Sequence, residues 1–212
     1  MNDKALHFFK KMAGDEKLTP NSVKLAKNSD FSALDAAFIR ARATKESDLL
    51  DLGSGTGLIV NKLYPYVKSI MAVEPFPEFT KFIVQSENVS VVHADIFEFA
   101  SGKQFDIITL FALMHYFDAE QAALIYKKYV PLLKPGGIML IKNQFGVHED
   151  VTVDGFSEEL KTNYHAQYRH IDKEVALLES VGLGKIEVID IYPPEHNRWE
   201  NTHFYALVAK AG

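Results

Sequence analysis

Residues 49–58 read LLDLGSGTGL, an apolar run ending in three glycines, Gly53, Gly55 and Gly57, with an acid, Asp51, two positions before the first. Such a run reads as a buried strand closed by a tight turn. Glycine there lets a ligand come up against the backbone, which a side chain would block. In open α/β sheets ligands bind at this place, the carboxyl end of a strand; the bare alternative is a structural turn. The spacing narrows the ligand. A dinucleotide fingerprint, G-x-G-x-x-G, would put its third glycine where Leu58 stands, and here it comes one residue earlier. A second acid, Glu74, closes the next apolar run in MAVEP. Its two acceptor oxygens suit a pair of ribose hydroxyls, a device that dinucleotide enzymes share. A third acid, Asp95, follows VSVVHA.

The elements that must position these groups alternate along the chain. Apolar residues recur at helical spacing from Ala5 to Met12 and from Ser32 to Ala43, with LTPNSVKLAKNSD between them a loop or short helix. After the glycine turn a helix runs from Leu58 to Tyr66, the second strand is SIMAVEP, and Glu78 to Ser86 is the next helix. VSVVHAD is the third strand and FDIITLFAL the fourth. A helix from Ala119 to Leu133 is stopped by Lys134-Pro135-Gly136-Gly137, and GGIMLIKNQF is the fifth strand. Past Gly146 the chain turns polar and aromatic, with a helix from Ser157, then an amphipathic helix from Ile171 to Val181. GKIEVIDIY and THFYALVAK close it as strands short enough in their connection to lie antiparallel. Strands alternating with helices predict an α/β fold with a mostly parallel seven-stranded sheet, helices on both faces and an antiparallel last strand.

With Asp51 before it and Gly57 early, D-L-G-S-G-T-G resembles the signature turn of class I S-adenosylmethionine-dependent methyltransferases, which are Rossmann-like. The resemblance covers residues 47–145, including the LLKPGG turn. It implies S-adenosyl-L-methionine as cofactor and S-adenosyl-L-homocysteine as product. It further implies that Gly53, Ser54, Gly55, Thr56 and Gly57 cradle the methionine and ribose parts, with Asp51 near the amino group. Glu74, followed by Pro75, would take the ribose, Asp95 and Ile96 the adenine, and Phe111 and Ala112 would cover the cofactor from the other side. The amides of a helix start suit the cofactor's carboxylate. The implied organisation is one methyltransferase domain over 1–212: a helical lid in 1–45, guessed by position around Asp30 and Phe31, a cofactor core in 46–145, an acceptor-side insert in 146–170, and closing elements in 171–212.

Methyl transfer from a sulfonium is an in-line displacement, and positioning in a dry pocket supplies much of its catalysis. A hydroxyl acceptor also needs a base; an amine needs only to arrive unprotonated, and a carboxylate or phosphoryl oxygen needs none. His115, after the fourth strand, is the candidate base, a packed or capping histidine being the alternative. Lys142 and Asn143 leave the fifth strand at the same edge and could orient an acceptor. In NYHAQYRH, helical spacing would stack Tyr164 with Tyr168 and His165 with Arg169, making Tyr168 and Arg169 candidates beside His115. Arg169 would grip a carboxylate or phosphate; the plainer reading is a polar helix with its aromatics packed on the sheet. The loop with His196, Asn197, Arg198, Trp199 and Asn201 suits a sugar or an anion, or pins itself.

Composition sets the outer limits. A formal net charge of -5 over 212 residues lacks the basic footprint of a nucleic-acid binder. Without cysteine, disulfides and thiolate chemistry are out, as suits a reducing cytosol. No run approaches the ~18 apolar residues of a bilayer span, and the amino terminus is no secretion signal. No metal is expected, because His148, Glu149 and Asp150 are consecutive and do not converge. The expectation is a cytoplasmic monomer or homodimer methylating a small molecule, more on oxygen than elsewhere, with an anionic or sugar-like acceptor. The rivals are a nucleic-acid or protein methyltransferase and a non-catalytic S-adenosylmethionine-binding partner. The early third glycine argues against a dehydrogenase.

Overall fold

The computed structural model of the chain describes residues 3–23, 30–157, 162–196 and 199–211. Seven strands form one sheet in the order β3-β2-β1-β4-β5-β9-β8: β1 (Asp48–Leu52), β2 (Ser69–Val73), β3 (Val89–Val92), β4 (Phe105–Phe111), β5 (Leu133–Gly146), β8 (Leu183–Asp190) and β9 (Thr202–Ala211). β1 runs parallel to β2 and β4, and β2 parallel to β3, whereas β9 is antiparallel to both β5 and β8. The alternating strand pattern of the sequence therefore holds, antiparallel closing strand included.

The chain divides into two compact units, Phe9–Thr109 and Leu110–Gly212 with the residues up to Phe8. In the first unit the central parallel strands are mostly apolar, as a sheet covered on both sides requires: Leu49, Leu50, Ala72 and Ile108 are fully buried. Truncating Leu49, Leu50 or Ile108 to alanine costs roughly 2–5 kcal/mol. The helices here are shorter than the sequence suggests. α3 covers only Val60–Leu63 and passes into a 3-10 turn at Tyr64–Tyr66, where Pro65 takes over; α4 is Pro77–Thr80 and stops well before Ser86. Asn61 explains the stop after α4. Its side chain donates to Phe82 O and accepts from Val84 N, both at 2.8 Å, so the chain leaves helical geometry for a side-chain-held turn. The longer helix of the unit is α2 (Ser32–Arg40).

In the second unit α5 (Ala119–Tyr129) starts at Asp118, whose carboxylate caps Gln121 N at 2.8 Å. It buries Ala122, Ile125, Tyr126 and Tyr129, the i, i+3, i+4, i+7 stripe of a one-faced helix. α6 (Ile171–Ser180) packs beside it and buries Glu174 and Leu178. Between β5 and α6 the described residues form no helix. Residues Val151–Ser157 (β6) and Thr162–Tyr168 (β7) form an antiparallel hairpin, with Thr152 opposite Gln167 and Gly155 opposite Tyr164. Tyr164, Ala166 and Tyr168 are buried while His165 and Gln167 are half-exposed, the period of a strand. Of the amino-terminal helix α1 (Asp3–Ala13), Lys4 ties to this hairpin through Asp154. Gly146, at the end of β5, admits no side chain, since a Cβ there would stand 1.9 Å from Glu149 O. Among the described residues no helix is long and apolar enough to cross a membrane.

Candidate functional site

The first unit presents its chemistry at the carboxyl ends of β1, β2 and β3. These strands are neighbours, so their ends fall within roughly 10 Å of one another. All three turn glycines take positive φ (Gly53 72°, Gly55 53°, Gly57 76°), and the turn hangs on β2 through Gly53 N and Ser54 N, both donating to Val73 O. Gly57 has a second constraint, because a Cβ would stand 2.5 Å from Ile83 Cγ1. Glu74, 6% exposed, accepts from Gly55 N at 3.0 Å on one oxygen and from Phe76 N at 3.2 Å on the other. Burial pushes its carboxyl up to about 7, against the pull of those amides and with help from the charge of Asp51. Asp51, 4% exposed, accepts from Thr109 Oγ1 at 2.6 Å, and burial pushes it up to about 6 despite that hydroxyl.

Ser54 Oγ is buried with no hydrogen-bond partner among the described residues. Thr56 Oγ1 donates to Pro20 O at 2.6 Å, and the Val23 methyls lie 3.8 Å from where a Gly55 Cβ would stand. The chain before α2 thus packs on the glycine turn through Pro20 and Val23, backed by Ala13, Leu18 and Phe79. In the stretch expected as a lid, Asp30 accepts from Ser32 N at 3.0 Å, at the start of α2. Residues 24–29 of that stretch lie outside the described residues. Asp95 takes Phe97 N at 2.8 Å on its side chain while its carbonyl takes Glu98 N and Phe99 N; Ile96 is buried and Pro75 exposed.

The second unit carries the acceptor-side candidates. β4 ends at Phe111, and Ala112 follows with φ 54°, a left-handed geometry costing an L-residue roughly 1–2 kcal/mol, held by its N–H on Lys142 O at 2.7 Å. The kink leads into a 3-10 turn, Met114–Tyr116, that buries His115. His115 Nδ1 lies 3.2 Å from Asn143 Oδ1, with its ring 4.0 Å from that of Tyr116 and 5.7 Å from that of Tyr168. Tyr168 Oη lies 3.2 Å from Tyr164 Oη and accepts from Trp199 Nε1 at 3.1 Å. Residues 115, 143, 168 and 199 thus meet in one cluster. Lys142, on the alternate register of β5, donates to Tyr192 Oη at 3.0 Å and lies 5.4 Å from the Phe111 ring.

Arg169 is placed elsewhere than the sequence reading has it. It pairs with Glu174, which is fully buried, and its other nitrogen donates to Phe117 O at 3.1 Å; Tyr126 donates to the same Glu174. The guanidinium offered to an acceptor is engaged inside the fold. Nor does it neighbour His165, which faces Asp154 at 3.5 Å on the hairpin. Arg198 and Asn197 lie outside the described residues. Among the described residues no group of three or more His, Asp or Glu gathers as metal ligands. The sequence reading missed Thr109, whose signal was a lone hydroxyl in the apolar run FDIITLF, and Tyr192, for which it carried none.

Residues 50–141 match the family described as a methyltransferase domain. An uncharacterized methyltransferase of Staphylococcus carnosus (strain TM300) is 21% identical over 189 residues, 84% of this chain and 90% of that protein. Among solved structures, the DhpI–SAH complex superposes with a TM-score of 0.71 at 16% identity, over 99% of this chain and 95% of that one. The N-methyltransferase NodS from Bradyrhizobium japonicum WM9, in complex with S-adenosyl-L-homocysteine, gives 0.68 at 14% identity over 99% of both chains. At these identities the two structures speak for a shared fold.

Proposed function

We propose that this chain is a class I S-adenosylmethionine-dependent methyltransferase and that it methylates an oxygen of a small, anionic or sugar-like acceptor, with His115 as the base. The residues of the glycine turn fit the cofactor. Ser54 offers a buried hydroxyl without a partner, Glu74 offers two oxygens at a strand end, and Asp51 lies buried at the turn's base. When bound, S-adenosylmethionine supplies a methyl group on a sulfonium that leaves as a neutral thioether. Asp51 and Glu74 would meet its ammonium and ribose, and Asp95 and Ile96 its adenine.

His115 carries the reading. Its Nδ1 faces an oxygen that can only accept, which leaves the lone pair of the neutral ring on Nε2, where a base needs it. Tyr168, held by Trp199 Nε1, lines the same cluster. Arg169 enters as a positioning residue that ties the end of β7 to α6 through Glu174. The anionic part of the acceptor reading then rests on Lys142, and the sugar-like part on Trp199, which is 40% exposed. The acidic balance of the chain supports a small molecule over nucleic acid, and we place a monomer or homodimer in the cytosol. The test is turnover of S-adenosylmethionine with a panel of phenols, sugars and hydroxy acids. His115→Gln should lower kcat about 10²–10⁴-fold with KM little changed. Full turnover in that variant, or methylation on nitrogen in the product, would overturn the reading.

A further inference from the structure

We propose that Asn143 is a positioning residue for His115: it holds the imidazole with its proton on Nδ1, and so commits the site to an acceptor hydroxyl that must lose a proton. The inference rests on the reading of His115 as the base. Asn143 is 2% exposed and sits on β5 directly opposite Tyr205 of β9, with the neighbouring Lys142 carbonyl taken by Ala112 N. Its backbone is therefore fixed on both sides, as an orienting group requires. Its side-chain oxygen accepts only, so His115 Nδ1 at 3.2 Å is the donor.

The rings of Tyr116 and Tyr168 pack against the His115 ring. Ring packing sets the plane of an imidazole without choosing which nitrogen carries the proton. A hydrogen bond to one nitrogen makes that choice, and Asn143 supplies it. An aspartate at this place would hold the same tautomer while favouring the protonated ring by its charge. The amide holds the tautomer and adds no charge, so the ring can return its proton to water between turnovers.

A fixed Nε2 lone pair serves one class of acceptor. A carboxylate or phosphate oxygen has no proton to lose, and an unprotonated amine attacks with its own pair. With a hydroxyl, the O–H bond breaks, the proton goes to Nε2 and the oxygen pair forms the new O–C bond. The C–S bond breaks with its pair left on sulfur.

The experiment is nitrogen NMR on the full chain labelled with ¹⁵N-histidine and saturated with S-adenosyl-L-homocysteine, His115 being identified by its loss in His115→Gln. The expected wild-type state is protonated Nδ1 and bare Nε2. Asn143→Leu should release that preference. Asn143→Asp should keep it and raise the His115 titration midpoint by about 1–3 pH units. Titration with S-adenosyl-L-homocysteine shows that each variant is folded. A wild-type ring protonated on Nε2, or variants that move neither tautomer nor midpoint, would overturn the inference alone. Full hydroxyl turnover in His115→Gln would remove the base reading and the role of Asn143 with it.

Discussion

Glu74 at the glycine turn and the rings around His115 are both buried, yet they are held in opposite ways. Glu74 is fixed by backbone amides two and nineteen residues away, and the turn itself hangs on a strand carbonyl. His115, Asn143, Tyr168 and Trp199 are held by side chains on side chains, across 28 residues in one link and 31 in another. The backbone-made region depends on glycine geometry and strand order, which many side chains can satisfy. The side-chain-made region depends on each partner, so a single substitution there can empty it. In the first region burial raises the carboxyls, and a cationic ligand would bring them back. In the second, the buried cation Arg169 already has its carboxylate.

Removing that pairing should show the largest effect. Arg169→Met leaves Glu174 charged or protonated in the core and should cost roughly 3–5 kcal/mol, on the order of 10 °C in Tm. Adding Glu174→Leu should recover most of it by thermal melting, as expected of an internal pair; an Arg169 reserved for the acceptor would melt unchanged. At the turn, Glu74→Ala should leave the melt within about 1 kcal/mol and lower the affinity for S-adenosyl-L-homocysteine roughly 30–150-fold by calorimetry.

The raised carboxyls add a pH dependence. Without ligand, Asp51 near 6 and Glu74 near 7 hold protons that the unfolded chain releases near 4, so stability should fall as pH rises from about 4 to 7. A ligand that favours both ionised forms must expel those protons below pH 7. Affinity for S-adenosylmethionine should therefore rise at least about tenfold between pH 5.5 and 7.5, with a proton release that buffers of different ionisation heat reveal. A flat profile would mean that the acids do not meet the cofactor. The smallest effect is expected of Trp199→Phe, which removes one half-exposed hydrogen bond to Tyr168 and should cost about 0.5–1.5 kcal/mol in denaturant melts.

How far each region can be read from sequence follows from the same contrast. The central parallel strands announce themselves as short, mostly apolar runs, and the acids stand out because Asp51 interrupts one such run while Glu74 and Asp95 follow the next two. The insert misleads because four residues is one turn of a helix and also an even step along a strand. Tyr164 and Tyr168 share a face either way, and only buried Ala166 between them decides for the strand. Asn143 looks like one more polar residue at a strand end, since its partner is 28 positions away and no local pattern links them. Arg169 misleads for a related reason: Glu174 sits within an ordinary acidic helix start, IDKE, and only the packing of α6 on α5 shows it buried.

The most direct test of the central claim is calorimetric titration of the purified chain with S-adenosylmethionine, S-adenosyl-L-homocysteine and NAD side by side. Both adenosyl ligands should bind, Glu74→Ala should weaken both, and NAD should give no heat of binding. Binding of NAD with neither adenosyl ligand would contradict the claim.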